Sequence, residues 1–246
     1  MILTSPLLSG VGVRHGFSTR LGGVSQGPGA TFDLGRETRP DLDENRRRFA
    51  LDHLHLAHVD HLHQVDQVHG ITVVDETSPP DTKADGLCTQ RPGHAVGVRT
   101  ADCAPILIAV AAPRPVAVAA LHAGWRGAVA GIVGVGIQRL LTAGARPEQL
   151  YVAIGPTISL AAFEVGAEVI EAATKALGAA PRTMISERGT VHLDLVDLLT
   201  RHLVGLGVPP AQIEWIGGCT ASQPSLYFSY RRDRGLTGRH LSAIRL

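Results

Sequence analysis

PILIAVAAPRPVAVAALHAGWRG, residues 105–127, decides the fold. It holds two continuous apolar runs, 105–110 and 115–121, each of strand length and separated by a Pro-bearing turn. An unbroken apolar run predicts a strand buried on both faces rather than one wetted side of a sheet. The second run stops at His122 before an Ala-Gly-Trp-Arg-Gly turn, and 128–142 then predicts a helix. Working outward, HAVGVR (94–99), LYVAI (150–154) and residues 212–216 read as further strands. QVDQVHGITVV (64–74) carries β-branched residues around a glycine and also predicts a strand. Helical patterns occupy 166–177, 194–206 and 43–56, the last with Asp43 as its N-cap. The pattern predicts an α/β (α+β) fold, mixed sheets covered by helices, in a single domain over 1–246.

Composition narrows the function. The chain has 246 residues, 44% hydrophobic and only 4% aromatic, so its core rests on Val, Leu, Ile and Ala. A net charge of +1, with acidic residues beside Arg46-Arg47-Arg48 and Arg231-Arg232, lacks the basic excess of a nucleic-acid binder. No run of about 18 apolar residues is present, which argues against a membrane span. The N-terminus MILTSPLLSGVGVRHGFSTR lacks a signal-peptide pattern. Three cysteines, an odd number, make no disulfide framework and suit a reducing compartment, so the cytoplasm is the expected location. Whether the chain is a monomer or a homodimer is not encoded in these patterns.

Three residues stand where α/β proteins assemble sites. His69 lies beside Gly70 in a predicted strand, Cys103 in a tight connection, and His122 at the end of a buried strand. Imidazole nitrogen and thiolate sulfur are the donors Zn²⁺ favours, and three of them leave one tetrahedral position open. Each also has an ordinary reading, as a hydrogen-bonded histidine or a buried thiol, and the latter suits Cys88 and Cys219. The histidines at 53, 55, 58, 61 and 63 keep to no single helical face and read as solvated surface, with adventitious metal binding at most.

From HAGWRG (122–127) the resemblance spreads across the chain. HGFSTRLGGVSQGP (15–28), ENR (44–46), QVHG (67–70), ADGLCT (84–89), TADCAP (100–105) and IGPTIS (154–159) follow in order. FEVG (163–166), CT (219–220), FSYRRD (228–233) and TGR (237–239) complete the series. The sequence resembles the YfiH or laccase-domain family, also called multicopper polyphenol oxidases and regarded as purine nucleoside enzymes. The resemblance implies a sandwich of mixed sheets flanked by helices, and a zinc held by His69, Cys103 and His122. It further implies phosphorolysis of adenosine, inosine, guanosine and methylthioadenosine, and deamination of adenosine. Asp33 and Cys88 depart from the family's usual Asn and Val, which points to an altered pocket wall.

Such chemistry needs a phosphate held against the ribose, and arginine forks suit phosphate. Arg46 is the first candidate, ahead of Arg20 and Arg126, with Ser18 and Thr19 as hydroxyl donors. Asp102 has two readings, orienting a ligand histidine or capping its own turn. Trp125 reads as a core residue or a purine platform, and Gly124 and Gly127 as turn glycines. Three other functions compete. A hydrolase or amidase acting on a cell-wall precursor would use Cys103 as nucleophile and His122 as base. A copper (Cu²⁺) polyphenol oxidase needs many histidine ligands, whereas those outside 53–63 are few and scattered. A small-molecule sensor would not need such ligands at strand ends.

Overall fold

The computed structural model describes residues 1–142 and 144–246. In chain order its strands are β1 (Ile2–Leu3), β2 (Arg14–Ser18), β3 (Leu62–His63), β4 (Val73–Asp75), β5 (Gly86–Thr89), β6 (Ala95–Thr100) and β7 (Ala104–Ala111). They continue as β8 (Pro115–Ala123), β9 (Leu150–Ile154), β10 (Thr183–Ile185), β11 (Val191–Leu193), β12 (Ile213–Trp215) and β13 (His240–Arg245). The helices are α1 (Pro6–Gly10), α2 (Pro40–Arg47), α3 (Trp125–Ala130), α4 (Ile132–Thr142), α5 (Ala167–Leu177) and α6 (Leu195–Gly205).

The two apolar runs form the antiparallel pair β7–β8 at the middle of a six-stranded sheet ordered β12-β9-β7-β8-β5-β4. Their alternate residues face two different cores, which is why the runs are unbroken. Ile106, Ile108, Ala119 and Leu121 meet α3 to α6, whereas Leu107, Ala109, Val118 and Ala120 meet the second sheet. That second sheet has five strands, ordered β1-β2-β13-β6-β3. Its outer face is covered by Phe32, Leu34, Phe49, Ala50 and Leu54. The result is helices, sheet, sheet, helices, with a small β10–β11 hairpin beside them.

Local departures from the predicted elements have local causes. The helix expected from 43 begins three residues earlier, because Pro40 takes its first position with Arg39 as N-cap, and Asp43 lies in the first turn. It widens into a π-helical segment, Arg48–His53. The helix expected over 128–142 starts at Trp125 and breaks at Gly131, whose φ of 92° is the left-handed conformation glycine tolerates. Strand β8 runs one residue beyond His122. Residues 64–72 form no continuous strand, and His69 itself has a φ of 61°.

Candidate metal centre

His69, Cys103 and His122 come together although 53 residues of chain separate the first from the last. Their ligand atoms all lie within 4.8 Å of one another, and no other such group of three occurs among the described residues. Cys103 Sγ is 3.9 Å from His69 Nε2. Sulfur and nitrogen on a tetrahedral zinc are roughly 3.6 Å apart, so a small contraction would close the set on an ion.

Asp85 organises this geometry. Its fully buried carboxylate accepts backbone N–H bonds from Val68 at 3.3 Å, His69 at 2.9 Å and Gly70 at 2.6 Å. It also takes the His122 ring at Nδ1, 2.7 Å away, which leaves Nε2 of that ring for the centre. Turning three successive amides toward one carboxylate is incompatible with a strand. That requirement is what displaces the strand expected over 64–74 and gives His69 its positive φ. Burial alone would raise Asp85, but the His122 ring and these amides hold it below the usual carboxylate range.

Gly124 and Gly127 are not turn glycines. Gly124 is the N-cap of α3 and Gly127 sits inside the helix, one turn on. A Cβ on Gly124 would stand 3.0 Å from Cys103 Sγ and 3.1 Å from His69 Cδ2, and one on Gly127 would stand 3.0 Å from the Gly70 carbonyl. The bare helix edge therefore lets the His69 loop approach. Against the cost of burial, the charge on His122 pulls the Cys103 thiol down, and the thiolate raises His122 in return. Thiolate, imidazolium and carboxylate thus stand in line.

All three side chains line an open cavity of about 850 Å³, whose walls include Arg36, Arg39, Arg99, Arg231 and Arg239. Arg36 pairs with Asp66, and Arg39 with Asp41. No carboxylate lies within ion-pair distance of Arg99, Arg231 or Arg239 among the described residues. Burial, with Arg46 and Arg36 nearby, lowers Arg99 to about 10, so it stays charged at neutral pH. Gln67 of QVHG fixes its backbone, accepting its N–H and donating to its carbonyl, both at 2.8 Å.

The sequence candidates for phosphate and ribose lie elsewhere. Arg46 donates to the carbonyls of Gly35 and Glu37 and pairs with Asp43, so it braces the cavity wall without lining it. Arg20 donates to the Ala30 and Pro224 carbonyls over the Phe228 ring. Arg126 stacks on Trp125, which packs on the helix–sheet core. Ser18 is buried and accepts the Leu241 N–H, and Thr19 donates to the Met1 carbonyl. Asp102 fits neither of its two readings. With φ at 90°, its carboxylate accepts from Thr220 Oγ1 at 2.6 Å, Ser229 Oγ at 3.0 Å and the Arg231 N–H at 2.7 Å. It ties the CT and FSYR segments to the strand end that carries Cys103. Of the two departures, Asp33 does line the cavity, whereas Cys88 faces a separate hollow beside Arg139.

The model of the family described as multi-copper polyphenol oxidoreductase laccase matches residues 14–246. The chain belongs to this laccase-like YfiH family. Among this chain's YfiH-family relatives, a purine nucleoside phosphorylase of Deinococcus radiodurans is 38% identical over 100% of the chain and 92% of the relative. Purine nucleoside phosphorylase YfiH of Escherichia coli is 37% identical over 95% of the chain and 93% of its own length. The crystal structure of YlmD from Geobacillus stearothermophilus superposes with a TM-score of 0.86 at 32% identity, covering 98% of this chain and 93% of that one.

Proposed function

We propose that this chain is a zinc-dependent purine nucleoside phosphorylase of the cytoplasm that also deaminates adenosine, working as one catalytic domain over 1–246. The observation that carries the reading is the convergence of His69, Cys103 and His122 on one wall of a cavity whose other walls bear Arg99, Arg231 and Arg239, none of them ion-paired among the described residues. Relatives named purine nucleoside phosphorylase over nearly full length support it. The donor set suits zinc, two imidazoles and a thiolate whose deprotonation His122 favours. Bound there, zinc would supply Lewis acidity.

Phosphorolysis joins a phosphate oxygen to ribose C1′ as the bond from C1′ to the purine N9 breaks. The base departs with the bonding pair and takes up a proton. Arg99, Arg231 and Arg239 each hold a protein oxygen with part of the guanidinium and, lining the cavity, offer the remaining charge-assisted donors to phosphate. Arg46 acts one step back, by holding Gly35 and Glu37 in the wall. Pure protein incubated with adenosine should release adenine only when phosphate is present, and inosine in either case. Cys103→Ala and His122→Ala should abolish both, and the absence of any purine product would overturn the reading.

One observation favours a second reading. Cys103, His122 and Asp85 are ordered as nucleophile, base and orienting carboxylate, which suits a hydrolase or amidase working without metal. The two separate on a strong chelator. Activity that survives zinc removal while Cys103 stays alkylatable belongs to the hydrolase.

A further inference from the structure

The histidine-rich segment between 53 and 63 does not behave as one solvated surface. His53 turns inward, its Nε2 3.0 Å from the His15 carbonyl oxygen, in contact with the Phe49 ring. His61 and His63 instead meet His94, which directly precedes β6 and is 7% exposed. Strand β3 lies beside the start of β6, with Leu62 opposite Ala95 and His63 opposite Val96. His63 Nε2 is 2.8 Å from His94 Nδ1. The His61 ring lies on the His94 ring with centroids 4.2 Å apart and planes 25° from parallel.

We infer that His63 and His94, with His61 completing the set, form a second metal site for a divalent transition ion, separate from the catalytic cavity. Two nitrogens bound at right angles to such an ion stand roughly 2.9 Å apart, and in a tetrahedron roughly 3.3 Å. The 2.8 Å separation of His63 Nε2 and His94 Nδ1, a hydrogen-bond distance, is also close to the edge of a square-planar or octahedral ion, so an ion replaces the shared proton as both rings turn toward it. His61 is stacked on the His94 ring and does not yet bring a nitrogen to the pair; it joins as a third ligand only by turning about its side-chain torsions.

Protonation does not oppose binding. The proton shared between His63 and His94 moves to the far nitrogen of the ring that carries it. Both rings then ligate in the neutral form and the pair releases no net proton. The only histidine ion pair among the described residues is His122 with Asp85, and no carboxylate lies within ion-pair distance of His63 or His94, although the more distant Glu76 charge opposes burial and Arg91 at both rings. Burial lowers both His63 and His94. The site stands at the start of β6 whereas the cavity is at its end, and six extended residues span roughly 20 Å. Nitrogen-rich, right-angled geometry favours Ni²⁺ or Cu²⁺ over Mg²⁺ or Ca²⁺.

The test is equilibrium dialysis of the zinc-saturated full chain against Ni²⁺, with bound nickel and retained zinc both measured. The expected result is one nickel per chain taken up without loss of zinc. His63→Gln and His61→Gln, both at partly exposed positions, should weaken uptake roughly tenfold or more. His94→Ala should abolish it if that protein folds, and His55→Gln with His58→Gln should leave it unchanged. Nickel uptake that equals the zinc released, or that survives His63→Gln undiminished, would overturn the assignment.

Discussion

Replacing Asp85 by Asn keeps the side chain's shape and removes its charge, which isolates what the carboxylate does. Four donors converge on it, the amides of residues 68, 69 and 70 and the His122 ring. Oδ1 serves His69 and His122, and Oδ2 serves Val68 and Gly70. An asparagine retains one oxygen, so one pair of donors must face an NH₂ group. If the amide keeps its oxygen toward His122, the Gly70 N–H at 2.6 Å loses its acceptor outright, while exposed Val68 turns to water. A buried donor left without a partner costs about 1–3 kcal/mol. Taking about 2 kcal/mol, and about 2–4 °C per kcal/mol for a chain of this size, the metal-free variant should melt roughly 4–8 °C lower. Zinc affinity, measured by chelator competition, should fall roughly 10–100-fold because His69 and His122 lose their common anchor. The acid limb should change as well. A carboxylate held below its ordinary value stabilises above about pH 4 and loses that contribution as pH falls through the folded value. Wild-type protein should therefore show an acid-dependent loss of stability that the Asn variant lacks. Equal zinc affinity and unchanged melting in Asp85→Asn would refute the idea that this carboxylate builds the site.

In metal-free protein, iodoacetamide should modify Cys103 at pH values well below the ordinary thiol range of about 8.5, because His122 favours the thiolate. His122→Gln should shift that reactivity upward, since burial is then opposed by His69 alone. Gly124→Ala should weaken metal binding while barely altering the melting temperature, as its Cβ would press on Cys103 and His69 and spare the core. Arg99→Gln should raise the KM for phosphate roughly tenfold or more with a smaller effect on that for nucleoside, read from initial rates at varied phosphate.

The central strands were legible because apolar runs too short for a helix, bounded by turn residues and without alternation, point to strands buried on both sides. The run 150–154 coincides with β9, and 166–177 and 194–206 match α5 and α6 within a residue. Strands β2, β5 and β13 carry His, Gly, Ser, Thr or Arg among their apolar residues and gave no such signal. The three candidate ligands could be named from chemistry, strand ends and resemblance, but Asp85 could not. Its role depends on the 66–72 loop lying against residues 83–85, through the Asp66–Lys83 bridge, a proximity that no local pattern encodes. ADG in the ADGLCT motif was the available clue. Arg46 misled because its motif marks a brace: it pairs with Asp43 and stands behind the cavity wall, and no local pattern tells such an arginine from one that lines the cavity.

Strand β13 lies between β2 and β6, in antiparallel register with both. Until residues 240–245 are in place, the five-stranded layer is two unjoined fragments, one from near residue 15 and one from near residue 97. No portion of the polypeptide ending before them can close that layer, however much else has folded. Partial products would expose two raw hydrogen-bonding edges to other chains, and pairing of β13 covers both at once.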